Sequence, residues 1–302
     1  MPTSQPDFII AGFNRCGTST LHNLCTLHDG FFMSKPKEIQ YFLVNENYKR
    51  GHEWYEDHFK GARPDQIKGE STPSYIYKGM VFEKDLFTYG WQPDDDCLMR
   101  LKSYNPDIKL IISLRNPIDC AHSNFEKAKT RGAERTNITF EEAIHEELSG
   151  KRSPKTTYLC YHYLTQYALH IEHLLSIFPR ENVHFLIFEN WIKQQQQTID
   201  NICKFLNTNT QKITQDVHAN QGLNPKSKMA HKVLNPLLKN KLAFKVFRKF
   251  GMRKGYDGLA PEIKQNLAHL YSEEIEKLAA LTGLDFSIWD IPPIKKAQAA
   301  NG

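Results

Sequence analysis

The chain has 302 residues, 40% hydrophobic and 24% charged, which is enough for one large α/β domain with elaborations and is the make-up of a soluble globular protein. Its longest apolar runs, such as Leu110-Ile111-Ile112-Ser113-Leu114, are strand-sized, far below the roughly 20 residues that cross a bilayer. Six cysteines and thirteen histidines show no metal-ligand or redox spacing, so the cysteines are expected as buried free thiols, and neither a zinc site nor a disulfide framework is favoured.

The first residues, Met-Pro-Thr-Ser-Gln-Pro-Asp, lack the charged and then apolar order of a signal peptide, which makes the cytoplasm the default location. Residues 1–6 and 295–302 read as loose termini around a single domain over 7–290. Residues 7–12 are an apolar run rich in β-formers. It leads through Gly12-Phe13-Asn14-Arg15-Cys16-Gly17 into a helix that buries Leu21, Leu24 and Cys25 at helical spacing. Gly12 and Gly17 stand at the spacing of a Walker A loop, whose backbone N–H groups and following helix start hold oxyanions, but Thr18 and Ser19 occupy the Lys-[Ser/Thr] positions. Arg15 is the cation available in its place, and the hydroxyls of Thr18, Ser19 and Thr20 add donors.

Lys109 to Leu114 predicts a second buried strand, followed by Arg115-Asn116-Pro117 and a helix through Ala128, with Pro117 suited to its first turn. A Walker B acid is missing at this strand end, where Arg115 stands. A long amphipathic helix is predicted over 158–178, a buried strand over 183–188, a helix over 198–206 with the Gln194–Gln197 tract as its exposed start, and one helix over 262–281. Strands alternating with helices predict a parallel sheet covered on both faces, with ligands beyond the carboxyl ends of its strands, where the loops after residues 12 and 114 both lie.

The net charge of +5 is unevenly placed: from Val217 to Tyr256 there is no Asp or Glu, while lysines and arginines accumulate from Lys226 to Lys254. Leu234, Leu237, Leu238, Leu242, Val246 and Phe250 give that stretch an apolar side. It is read as a lid over the site, with peripheral contact to an anionic surface as the second reading. No nucleic-acid partner is expected.

The paired stretches "RCGTSTL" and "LRNPIDCAHS" resemble those of sulfotransferases that use 3′-phosphoadenosine 5′-phosphosulfate (PAPS), nearest in motifs to bacterial and heparan-sulfate types. The resemblance runs in order from Asp7 to Asp290 and implies a P-loop-like sulfotransferase fold with a central parallel sheet flanked by helices. It implies that Arg15, Cys16, Gly17, Thr18, Ser19 and Thr20 hold the 5′ end of PAPS, that Arg115 with Ser123 hold its 3′-phosphate, and that no metal is needed. Arg15 replaces the family's usual lysine. Lys37-Glu38-Ile39-Gln40-Tyr41-Phe42 resembles the segment whose glutamate is the catalytic base, which implies Glu38 and Arg15 as the catalytic pair. Ser71, in Lys68 to Tyr77, stands where a lysine is common, and Lys127 is the candidate replacement. Lys226 and Ser227 fall where the family places a late loop over the cofactor phosphates, and Tyr167 and Glu189 are expected to be structural. The implied reaction is sulfuryl transfer to a hydroxyl or amine, with a glycan or glycolipid as the favoured acceptor. The rivals are a P-loop small-molecule kinase and an inactive PAPS- or polyanion-binding protein.

Overall fold

The computed structural model describes residues 4–85, 88–135, 137–217, 223–225, 252–254 and 258–293. In chain order the elements are β1 (Phe8–Gly12), α1 (Thr18–Thr26), β2 (Phe31–Met33), α2 (Asn45–Tyr48), α3 (Gly51–Glu56), β3 (Ile67–Glu70), β4 (Met80–Phe82), β5 (Tyr89–Trp91), α4 (Cys97–Tyr104) and β6 (Lys109–Leu114). There follow α5 (Pro117–Thr130), α6 (Phe140–Leu148), α7 (Tyr167–Ile177), β7 (Val183–Ile187), α8 (Phe188–Trp191), α9 (Gln195–Phe205), β8 (Leu223–Pro225), β9 (Met252–Lys254), α10 (Pro261–Ala268) and α11 (Ser272–Thr282).

Five strands form one sheet in the order β2-β3-β1-β6-β7, and every pairing in it is parallel. All five residues of β1 are buried, as a central strand covered on both faces requires. Its alternate side chains go to opposite layers. Ile9 and Ala11 join Leu98, Leu101, Ile171 and Leu174 in the larger core, while Phe8 and Ile10 join Leu21, Leu24, Ile199 and Ile202 in the other. The sheet is therefore sandwiched, with α4 and α7 on one face and α1 and α9 on the other. Register between β1 and β6 shifts between Ile10 and Gly12, so β1 kinks as it enters its loop. Because β1 and β6 are neighbours, the two predicted phosphate-binding loops leave the same edge of the sheet side by side.

The predicted helix over 158–178 is shorter in the structure. Only Tyr167–Ile177 is α-helical, after a 3-10 turn at Tyr163–Thr165. The backbone N–H groups of His162 and Tyr163 donate to the Glu147 carboxylate at 3.0 and 2.6 Å, so a side chain on α6 takes the donors that a continuous helix needs. The helix predicted over 262–281 is two, because Tyr271 turns inward between α10 and α11 and shares a 2.8 Å hydrogen bond with Thr165. Gln195 is also not exposed. It is 9% accessible and donates to the Val217 carbonyl at 2.9 Å.

All six cysteines are buried free thiols. Among the described residues, no helix is long and apolar enough to cross a membrane. The terminal residues 1–3 and 294–302 lie outside the described residues, as does the basic segment apart from its ends, where β8 and β9 pair antiparallel.

Candidate active site

Ser113, inside β6, pins the loop that follows β1. Its hydroxyl donates to the Cys16 carbonyl at 2.6 Å and accepts from Trp191 Nε1 at 2.9 Å, and its own carbonyl accepts the Phe13 N–H at 3.0 Å. Arg15 (φ 66) and Gly17 (φ 79) are both left-handed, which turns the chain sharply before α1. Gly17 is required twice over, since a Cβ there would also meet the Phe188 ring at 2.5 Å and Trp191 at 2.7 Å. No side chain caps α1, and its first turn carries no acid, as suits a helix start that faces an anion.

The second loop is held by a clamp. Asn116 caps α5, its Oδ1 accepting the N–H groups of Ile118 and Asp119 at 3.1 and 3.2 Å. Its Nδ2 donates to the Trp289 carbonyl at 3.0 Å, and its backbone N–H donates to Glu189 at 2.9 Å. The other Glu189 oxygen accepts the Trp289 indole N–H at 2.9 Å, which closes the ring. Glu189 is thus structural, as expected, and so is Tyr167, fully buried with its ring 4.5 Å from that of Phe13. Arg115, one residue before the cap, donates through Nη1 to the Arg15 carbonyl at 3.2 Å and lies 5.4 Å from the Phe188 ring centroid.

The two loops meet around a cavity of ≈ 100 Å³ lined by Arg15, Gly17, Thr18, Ser19, Thr20 and Arg115 together with Asn14, Glu38 and Lys127. Ser123 stands beside it, accepting from Arg15 Nε at 2.8 Å. Cys16 is the exception among the nominated residues. Its side chain is fully buried, 3.6 Å from both the Cys120 sulfur and the Tyr167 hydroxyl, and its N–H donates to the Phe13 carbonyl at 3.3 Å. It anchors the loop from below instead of facing a ligand. Lys226 and Ser227 lie outside the described residues.

A second space of ≈ 550 Å³ opens beyond the first, and Asn14, Glu38 and Lys127 line both. Glu38 is paired with Lys37 at 2.8 Å. Partial burial would push its carboxyl up, but Lys37 beside it, with Lys127 and Arg131 behind, outweighs this and holds it below the usual carboxylate range. For Lys127, burial first and then the Arg131 and Arg15 cations push the ammonium down to about 7, against the pull of Glu38. Ser71 faces the other way. It is fully buried with its hydroxyl 3.2 Å from His22 Nδ1, while Lys127 on α5 lines the cavity beside Glu38.

The segment carrying Glu38 is braced by a buried carboxylate. Glu70, at the end of β3, accepts from Tyr55 at 2.8 Å and from Thr72, and Thr72 in turn accepts the Gln40 N–H at 3.3 Å. Burial pushes the Glu70 carboxyl up to about 7, against these hydrogen bonds.

A family model described as a sulfotransferase domain matches residues 5–280. The chain belongs to the sulfotransferase domain family. The heparan sulfate glucosamine 3-O-sulfotransferase 5 of Mus musculus is 29% identical to it over 202 residues, which cover 67% of this chain and 53% of that one. The bifunctional heparan sulfate N-deacetylase/N-sulfotransferase of Drosophila melanogaster is 26% identical over 193 residues, 61% of this chain and 18% of the relative. This sulfotransferase domain therefore spans about half the length, or less, of these curated relatives. Among solved structures, the sulfotransferase from Alicyclobacillus acidocaldarius aligns at a TM-score of 0.66 and 20% identity, covering 95% of this chain and 99% of that one, which bears out the parallel-sheet fold.

Several lining residues carried no signal in the sequence. Asn14, Asn124 and Arg131 are single polar residues without motif spacing, although Lys127 and Arg131, four apart on one helix face, share the periodicity that singled out Lys127.

Proposed function

We propose that this domain transfers the sulfuryl group of PAPS to a hydroxyl or amine of a carbohydrate-bearing acceptor. The observation that supports this most directly is that one carboxylate and one lysine, Glu38 and Lys127, line both the small cationic cavity and the larger cleft beside it. The small cavity, with Arg15, Arg115 and the start of α1, suits the anionic end of PAPS, and the cleft suits the acceptor.

In the proposed reaction, Glu38 takes the acceptor proton as the acceptor oxygen or nitrogen bonds to sulfur. The bridging S–O bond breaks, and its electron pair leaves on the 5′-phosphate of adenosine 3′,5′-bisphosphate (PAP). Arg15 and Lys127 are assigned to neutralise the charge on the bridging and sulfuryl oxygens. Arg115 and Ser123 are assigned to the 3′-phosphate. Phosphoryl transfer from ATP is the weaker reading, because the end of β6 offers Arg115 where a metal-binding acid would serve it.

The test is incubation with labelled PAPS against a panel of glycans, glycolipids and phenols, followed by the label. Label appearing in a glycan or glycolipid supports the reading. Turnover of magnesium-ATP with no transfer from PAPS would sink it.

A further inference from the structure

The ≈ 550 Å³ cleft is lined by two unlike sets of residues. Its polar lining includes Glu38, Lys127, Asn14, Gln40, Asn47 and Asn124, with the Nδ2 groups of Asn14, Asn47 and Asn124 held by Ser74 and by the Ile39, Gln40 and Cys120 carbonyls. The apolar part of its lining includes Leu43, Val44, Met80, Phe82 and Leu164, each no more than 6% accessible and each part of the main core cluster. The cleft is thus an opening into the core and not a surface groove.

That apolar lining is preformed. The Phe82 N–H donates to the Leu43 carbonyl at 2.9 Å, Val44 bridges Phe82 in parallel, and the Phe82 ring lies 5.5 Å from that of Tyr89 and 5.9 Å from that of Tyr158. Among the described residues the charges lining the cleft nearly cancel: Lys84, Lys127 and Arg131 are set against Glu38 and Asp85. A polyanionic glycan segment would press its hydrated hydroxyls and sulfates against this hydrocarbon lining. An uncharged apolar tail gains by leaving water for a cleft lined by such residues.

We propose that the acceptor is amphiphilic: a sugar-like, hydroxyl-bearing head that meets Glu38 and the asparagines, carried on an uncharged apolar tail that lies along Leu43, Val44, Met80, Phe82 and Leu164. This rests on the sulfotransferase reading of Glu38 and narrows its acceptor from glycans at large to glycolipid-like molecules.

The test is a calorimetric series of alkyl β-glucosides from butyl to octyl, each below its micelle-forming concentration, with and without saturating PAP. An N-sulfated heparan hexasaccharide serves as the charged rival. Affinity is expected to rise about two- to fourfold per added methylene. Phe82→Ser should flatten that series while leaving PAP affinity unchanged, and Leu164→Ser serves as the second variant if the first does not fold. Affinity independent of chain length, a slope retained in the folded variants, or tighter binding of the hexasaccharide than of octyl glucoside would each overturn the proposal. Failure of the sulfuryl-transfer reading would show separately, as no PAP binding and no label transferred from PAPS, because the chain-length series reads the cleft itself.

Discussion

Arg15 Nε donates to Ser123 Oγ at 2.8 Å, joining the loop after β1 to the middle of α5 across 108 positions of sequence. The cation assigned to one end of PAPS and the hydroxyl assigned to the other are therefore one hydrogen-bonded unit, and a change at either is felt at both. Arg15→Ala is expected to weaken PAP binding by about 1.5 to 3 kcal/mol, the worth of a hydrogen bond to a charged group. Ser123→Ala should weaken it less. In a double-mutant cycle read by calorimetry the two losses should fail to add by at least about 0.5 kcal/mol. Additive losses would mean that the contact does not couple the two ends.

Lys127 is expected to make the reaction sensitive to pH near neutrality. Burial and the neighbouring Arg131 and Arg15 lower its ammonium to about 7, so the free enzyme carries this charge below that pH and loses it above. The kcat/KM for PAPS is expected to fall as pH rises through about 7, because that parameter reports the free enzyme. The limb in kcat should lie at higher pH, since bound anionic PAPS favours the charged lysine. Lys127→Arg, with a side chain that stays charged, should remove the descending limb. A limb that survives this substitution belongs to another group.

Glu38, the proposed base, is expected to set the acid side. Its carboxyl lies below the ordinary value of 4.5, because the Lys37, Lys127 and Arg131 cations outweigh its burial, so the base stays ionised and the acid limb is expected below pH 4.5. Glu38→Gln removes the base and keeps the shape. Turnover should drop by about two to four orders of magnitude, the contribution of a general base, while PAP affinity stays near normal. Retention of most of the turnover in single-turnover measurements would show that another group takes the proton.

The extent to which the fold was legible in the sequence follows from where its information is local. The strands Phe8–Gly12, Lys109–Leu114 and Val183–Ile187 stand out because strands buried on both faces need nearly unbroken apolar runs. The strand Ile67–Glu70 does not, since Lys68 and Gly69 interrupt it. Gly69 is there because a Cβ would strike the Phe8 ring at 2.3 Å, a tertiary reason invisible in the local pattern. The helix over 158–178 was overdrawn for the same kind of reason: the carboxylate that takes its N–H groups, Glu147, lies on another element. At the site, Arg15, Thr18, Ser19 and Thr20 were legible from the loop motif, and Glu38 and Arg115 from the family resemblance, and all six do gather around one cavity. The inward turn of Cys16 was not, because it is set by Cys120 and Tyr167.

The clamp around Asn116 is the remaining test of how the second loop is held. Glu189 accepts the Asn116 N–H and the Trp289 indole N–H, both at 2.9 Å, and Asn116 and Trp289 are 7% and 4% accessible. Glu189→Ala strands both donors where water reaches them poorly, at a cost of about 1 to 3 kcal/mol for each unsatisfied buried group. The melting temperature should fall. Because Asn116 directly follows Arg115, a loosened cap also moves the guanidinium that donates to the Arg15 carbonyl at 3.2 Å, so PAP affinity should fall with stability. Glu189→Gln keeps one carbonyl oxygen in place and should recover part of both losses. Calorimetry of the folded variants at low temperature separates the two effects. If Glu189→Ala binds PAP as the wild type does once folded, the clamp stabilises the fold without positioning Arg115.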